Sequence, residues 1–151
     1  MELNSIYHDL PQLETSRTIL RKIREIFIEK ILDKYNNHTV APWGIVDRAT
    51  GWLIGTSGFV YWDTHHSKAE VAYALSRSYW NRGYMTEVMN HLVDFAFSEM
   101  KLIRLEGRCL VNNPGSARVL EKCGMQLEGI MRKVYFVKGA HQDLMLYAVV
   151  R

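Results

Sequence analysis

Between Ser76 and Gly83 the chain carries Arg77, Arg82 and a glycine, and just beyond them a long helical pattern begins. Those residue types at the mouth of a helix suit an anion. The first amides of a helix have no acceptor within it and point outward, and the helix dipole adds partial positive charge at the same end. Gly83 lets a ligand approach the backbone closely, and Arg77 and Arg82 can add full charges. A phosphate meets each of these conditions. A glycine before a helix also serves as a plain turn, so the loop by itself leaves both readings open.

The elements around that loop follow from periodicity. From Thr86 to Met100, Val88, Met89, Leu92, Val93, Ala96 and Met100 share one helical face, and Glu87, Asn90, His91, Asp94 and Glu99 share the other. A strand over Ala69–Leu75 precedes the loop and another over Arg104–Val111 follows the helix, the kind of crossover that joins parallel strands. A second helix is expected from Pro114 to Cys123: Asn113 can cap it, Pro114 can take its first position, and Gly124 can supply a left-handed stop. Thr39–Asp47 and Trp52–Trp62 read as a hairpin about the turn Arg48–Gly51, and Gln126–Val137 and Gln142–Val150 flank a turn at Lys138-Gly139. Ser16–Tyr35 reads as an amphipathic helix on Leu20, Ile23, Phe27 and Ile31. Met1–Glu14 shows no strand pattern.

Length and composition bound the rest. At 151 residues, 48% apolar and 23% charged, with no repeat or linker, the chain is expected to form one domain over residues 1–151. A net charge of +3 without a block of like charges argues against a nucleic-acid surface. Cys109 and Cys123 lack zinc spacing and read as core residues, and the histidines lack metal spacing, so no metal is expected. Tyr135, Phe136 and Tyr147 are expected in the sheet core. With no signal-peptide pattern and no long apolar run, a cytoplasmic chain free of membrane contact is expected.

Three segments then carry a resemblance: Ala69-Glu70-Val71-Ala72-Tyr73-Ala74-Leu75, Tyr79-Trp80-Asn81-Arg82-Gly83-Tyr84-Met85-Thr86-Glu87, and Asn112-Asn113-Pro114-Gly115-Ser116-Ala117-Arg118-Val119-Leu120-Glu121-Lys122-Cys123-Gly124-Met125. In that order and spacing they resemble the Gcn5-related N-acetyltransferase (GNAT) superfamily, in its ribosomal-protein-alanine (RimJ/RimL-like) acetyltransferase branch, over about Trp43–Tyr147. The loop departs from the wider pattern Gln/Arg-x-x-Gly-x-Gly/Ala by having Trp80 first and Met85 last.

The resemblance implies an α+β fold: a central mixed, mostly antiparallel sheet with a splayed parallel pair, flanked by helices. It implies an N-acetyltransferase that moves an acetyl group from acetyl-CoA directly to a primary amine, either a protein N-terminal α-amine or a small-molecule amine. The backbone of Arg82, Gly83, Tyr84, Met85, Thr86 and Glu87 is then expected to cradle the pyrophosphate. Tyr73, Ala74 and Leu75 are expected to pair with the pantetheine arm as an added strand does. Asn113 and Ser116 fall near the reacting sulfur, and Arg118 and Lys122 near the adenosine end. Glu70, matching a strand glutamate, is the candidate base, and Ser116 or Tyr73 the candidate acid. Each has a plainer alternative: a surface carboxylate for Glu70, a helix cap for Asn113, solvated helix charges for Arg118 and Lys122.

Members of this family open with a strand and a helix that this chain is expected to lack, thinning one wall of the acceptor site. A non-catalytic acetyl-CoA-binding module is therefore the alternative function, and completion by a homodimer partner is one way to close the gap.

Overall fold

The computed structural model describes residues 10–22 and 42–151. Among these residues eight strands form one sheet: β1 (Leu13–Glu14), β2 (Thr18–Lys22), β3 (Trp43–Asp47), β4 (Leu53–Asp63), β5 (Lys68–Leu75), β6 (Arg104–Leu110), β7 (Gln126–Val137) and β8 (Ala140–Val150). Two helices accompany them, α1 (Tyr84–Ser98) and α2 (Pro114–Lys122). The spatial order is β1-β2-β3-β4-β5-β6-β8-β7, and only β5 and β6 run parallel. This is the mixed, mostly antiparallel sheet with one parallel pair that was expected.

The start of the chain corrects two expectations. Residues 18–22 form a strand against β3, with Leu20 opposite Ile45, and not the first turns of a helix. Thr18 and Leu20 are buried on alternate positions, so period two wins locally, and β3 supplies the backbone partners. A short strand also stands at Leu13–Glu14, where none was expected, so the sheet does not open at Trp43. The tight turn between the two is closed by the Thr15 hydroxyl, which accepts from Thr18 N–H at 2.9 Å. The remainder of the expected helix, residues 23–35, and residues 39–41 of the expected hairpin lie outside the described residues.

The crossover from β5 to β6 passes through α1, whose predicted inward face is the buried one: Val88, Met89, Leu92, Val93 and Ala96 pack on the sheet. Trp43 is the largest fully buried side chain among the described residues; it meets Phe59 and Phe95 edge-on at 5.9 and 5.8 Å, joining β3, β4 and α1. The ends of α2 match the sequence. Asn113 Oδ1 accepts from Ser116 N–H at 3.2 Å, Pro114 holds the first position, and Gly124 follows with φ +83°. Cys109 and Cys123 are buried free thiols, and burial raises the pKa of both, Cys123 to about 11. Tyr147 is buried as expected, but Tyr135 and Phe136 are 50% and 63% exposed. They lie far along the β7–β8 hairpin, past a break in register between Met131 and Tyr135, where it outruns the rest of the sheet.

Candidate active site

The parallel ladder between β5 and β6 stops at Val71 opposite Gly107, although β5 continues to Leu75 and β6 to Leu110. Beyond that point Ala72–Leu75 keep their β4 partners on one edge and, among the described residues, have no partner strand on the other. A cleft of about 1130 Å³ opens there, between the end of β5, the start of α1 and the start of α2. Tyr73, Ala74, Leu75, Gly83, Tyr84, Met85, Thr86, Asn113, Ser116, Arg118 and Lys122 all line it.

At the α1 end, Gly83 takes φ +77°, a left-handed conformation that glycine adopts without a Cβ penalty. The first intrahelical bond runs from Glu87 N–H to the Gly83 carbonyl at 3.1 Å, leaving the amides of Tyr84, Met85 and Thr86 without helical acceptors. These three amides, rather than that of Glu87, are the ones open to an anion. The Glu87 carboxylate points instead to the turn between β1 and β2, accepting from Ser16 Oγ at 2.8 Å and Arg17 N–H at 2.9 Å. Burial alone would raise its pKa, but donors from Thr15, Arg17 and Ser16 overcome that and hold it at about 2. Arg82 stacks its guanidinium against Tyr79 and Tyr84 and lies off the cleft lining.

At the α2 end, the Tyr73 hydroxyl stands 2.9 Å from Ser116 Oγ and donates to the Ser116 carbonyl at 3.0 Å. Burial pushes the Tyr73 phenol up to about 12, so it stays protonated at neutral pH and can donate. Asn113 uses its oxygen as the cap, and its amide nitrogen has no partner among the described residues. On β5 itself, the Leu75 carbonyl already accepts from Trp80 Nε1 at 2.8 Å, which fixes the indole at the cleft mouth.

Glu70 does not line the cleft. It lies an odd number of residues from Tyr73 and therefore on the opposite face of β5, away from the helices. There it sits among Tyr61, Glu106 and Arg108, with Arg108 Nε 3.5 Å from its carboxylate. Burial raises the Glu70 pKa, Arg108 opposes and Glu106 adds to it. Glu106 is itself held low: burial would raise it, but hydrogen bonds from Arg104 and Tyr61 prevail. Glu70 is thus a half-buried carboxylate one residue before Val71, where the ladder ends, and Tyr73 stands two residues after Val71 on the other face.

Several cleft residues escaped the sequence: Tyr79, Asn81, Val111, Glu121 and Met145. Their types gave no chemical signal, and only the convergence of strand and helix ends brings them together. Arg17, which reaches the loop from the turn between β1 and β2, was hidden by the helix expectation. Among the described residues no cluster could hold a metal ion, and no helix is long and apolar enough to cross a membrane.

The family model described as "Acetyltransferase (GNAT) domain" matches residues 6–126. The chain belongs to this acetyltransferase family. It is 30% identical over 172 aligned residues to YoaA, an uncharacterized N-acetyltransferase of Bacillus subtilis (strain 168), covering 93% of this chain and 97% of that protein. It is also 30% identical over 96 residues to the ribosomal-protein-serine acetyltransferase of Escherichia coli (strain K12), covering 64% of this chain and 54% of that one. The solved ribosomal-protein-S5-alanine acetyltransferase from Vibrio fischeri shares the fold with a TM-score of 0.81 at 18% identity, over 93% of this chain and 96% of that one. The relatives thus include ribosomal-protein acetyltransferases, the branch the sequence resembles, and the chain is an acyltransferase of the N-acetyltransferase type.

Proposed function

We infer that the cleft takes acetyl-CoA and that the enzyme acetylates a primary amine, with the α-amine of a protein N-terminus as first choice. One observation carries this: the sheet parts just past Glu70, with a raised carboxylate on one face and the Tyr73–Ser116 hydroxyl pair on the other. An acceptor that approaches from the Glu70 face meets the parting from one side, and a thioester lying in the cleft meets it from the other.

The residues present fit the coenzyme. Free amides of Tyr84, Met85 and Thr86 suit a pyrophosphate, the unpaired edge of Ala72–Leu75 suits the amides of a pantetheine arm, and Arg118 and Lys122 suit phosphate at the far end. Bound there, acetyl-CoA supplies the activated acetyl group. Glu70 takes the ammonium proton, directly or through water, because only the neutral amine is nucleophilic. The Tyr73–Ser116 pair offers a hydroxyl hydrogen to the departing sulfur. Holding both reactants at the parting supplies acceleration through proximity.

The α-amine is favoured on acidity. An N-terminal amine has a pKa of about 7.7–8.0 against about 10.4 for a lysine-type amine. A carboxylate raised above its ordinary value lies closer to the first and is better matched to it as a base.

Calorimetric titration with acetyl-CoA, followed by thiol-release assays on N-terminal peptides and on polyamines, tests the proposal. Saturable binding with turnover on peptides, and little on polyamines, is expected. Binding without turnover on any amine would favour a non-catalytic binding module. No binding at millimolar coenzyme would overturn the site.

A further inference from the structure

We propose that Arg17 is a positioning residue for the coenzyme: one guanidinium fastens the anion loop and neutralises the carboxylate that the first turn of α1 places beside it. This rests on the coenzyme site proposed above.

The geometry is specific. Arg17 Nη1 donates to the Arg82 carbonyl at 3.0 Å, and its Nε donates to Glu87 Oε2 at 2.8 Å. Its plane lies over the Tyr84 ring, 4.2 Å from the centroid. Its Nη2 is the nearest atom to the position that a Cβ on Gly83 would occupy, at 3.4 Å. One side chain from the turn before β2 therefore touches the residue before Gly83, the residue after it and the first turn of α1.

The chemistry explains the arrangement. A carboxylate in the first turn of a helix is favourable when the helix end is empty, but it repels a pyrophosphate bound at the same end. Glu87 is not free to swing away, because Ser16 Oγ and the Arg17 N–H also hold it. Arg17 cancels that charge where it stands. Removal of the guanidinium leaves the carboxylate fixed and uncompensated within the first turn of α1, beside the anion loop.

The test uses the full chain and calorimetric titration with acetyl-CoA and with 3′-dephospho-CoA. Arg17→Gln is expected to weaken both ligands about tenfold, which is about 1.4 kcal/mol, with kcat at saturating coenzyme largely kept. The double variant Arg17→Gln/Glu87→Gln is expected to recover most of that loss, since the repelling charge goes with its partner. Arg17→Lys, which keeps the charge, is expected to stay within about threefold of the parent; it also answers the question if Arg17→Gln does not fold. Parental affinity in folded Arg17→Gln, a double variant as weak as the single, or a folded Arg17→Lys as weak as expected for Arg17→Gln would each overturn the proposal. A loss seen with acetyl-CoA and absent with 3′-dephospho-CoA would overturn it too, assigning Arg17 to the 3′-phosphate. Failure of the unmodified chain to bind either ligand would remove the coenzyme site itself, a result distinct from all of these.

Discussion

Replacement of Gly55 by alanine tests whether the placement of β5 is what makes the cleft. Gly55 pairs with Leu75 across the β4–β5 ladder, and a Cβ built on it stands 2.4 Å from the Ala74 carbonyl oxygen and 3.2 Å from Leu75 Cα. Ordinary contact begins at 3.4 Å, so relief needs a separation of 3.4 − 2.4, or about 1.0 Å. Both opposing atoms are backbone, so no side chain can rotate aside; the strands themselves must part. Overpacking of this kind costs about 1–3 kcal/mol. At roughly 2–4 °C per kcal/mol for a chain of this size, Tm is expected to fall by about 2–12 °C. The displaced residues, Ala74 and Leu75, form the edge assigned to the pantetheine arm, and a misplacement near 1 Å can cost up to about 100-fold in rate. A fall in kcat/KM for acetyl-CoA of about 10- to 100-fold is therefore expected alongside the loss of stability. Thermal unfolding followed by circular dichroism, with initial rates of thiol release, reads both. Gly129→Ala on β7, where a Cβ meets nothing within 4 Å, is the matched control and is expected to be near neutral. A Gly55→Ala protein that melts within about 1 °C of the parent and keeps its kcat/KM would refute the reasoning.

Glu70→Gln is expected to lower kcat about 100-fold while leaving coenzyme affinity intact in calorimetry. Its stability effect has a definite sign: burial raises the folded pKa, so the Glu70 contribution is full below the ordinary value of 4.5 and is lost as pH rises through the folded value. Denaturant unfolding should therefore show the variant gaining on the parent as pH rises above 4.5. Glu87 behaves oppositely, with a pKa lowered from 4.5 to about 2, so its contribution is present above 4.5 and lost as pH falls toward 2. Glu87→Gln should flatten the acid limb of the stability profile across that window. Asn113→Ala removes the cap accepted from Ser116 N–H and should cost about 1 kcal/mol, read as a lower urea midpoint with an unchanged slope.

The sequence by itself determined what depends on neighbours along the chain. The apolar face of α1, the Asn113-Pro114 start and Gly124 stop of α2 and the parallel crossover are all consequences of local spacing, and the structure has them where the spacing puts them. Residues 18–22 were misjudged because their apolar spacing fits two periods, and the choice between them was made by hydrogen bonds from β3, a partner more than twenty residues away. Tyr135 and Phe136 were misjudged because a strand pattern does not tell how far its sheet extends beneath it. The site divides along the same line. The glycine at the mouth of α1 and the free amides beyond it were legible, whereas the end of the β5–β6 ladder at Val71, the separation of Glu70 and Tyr73 onto opposite faces, and the reach of Arg17 from the turn before β2 to the loop are distances between segments remote in sequence. Only packing fixes such distances, because a residue's type states what it can bond, and the fold decides what comes within reach.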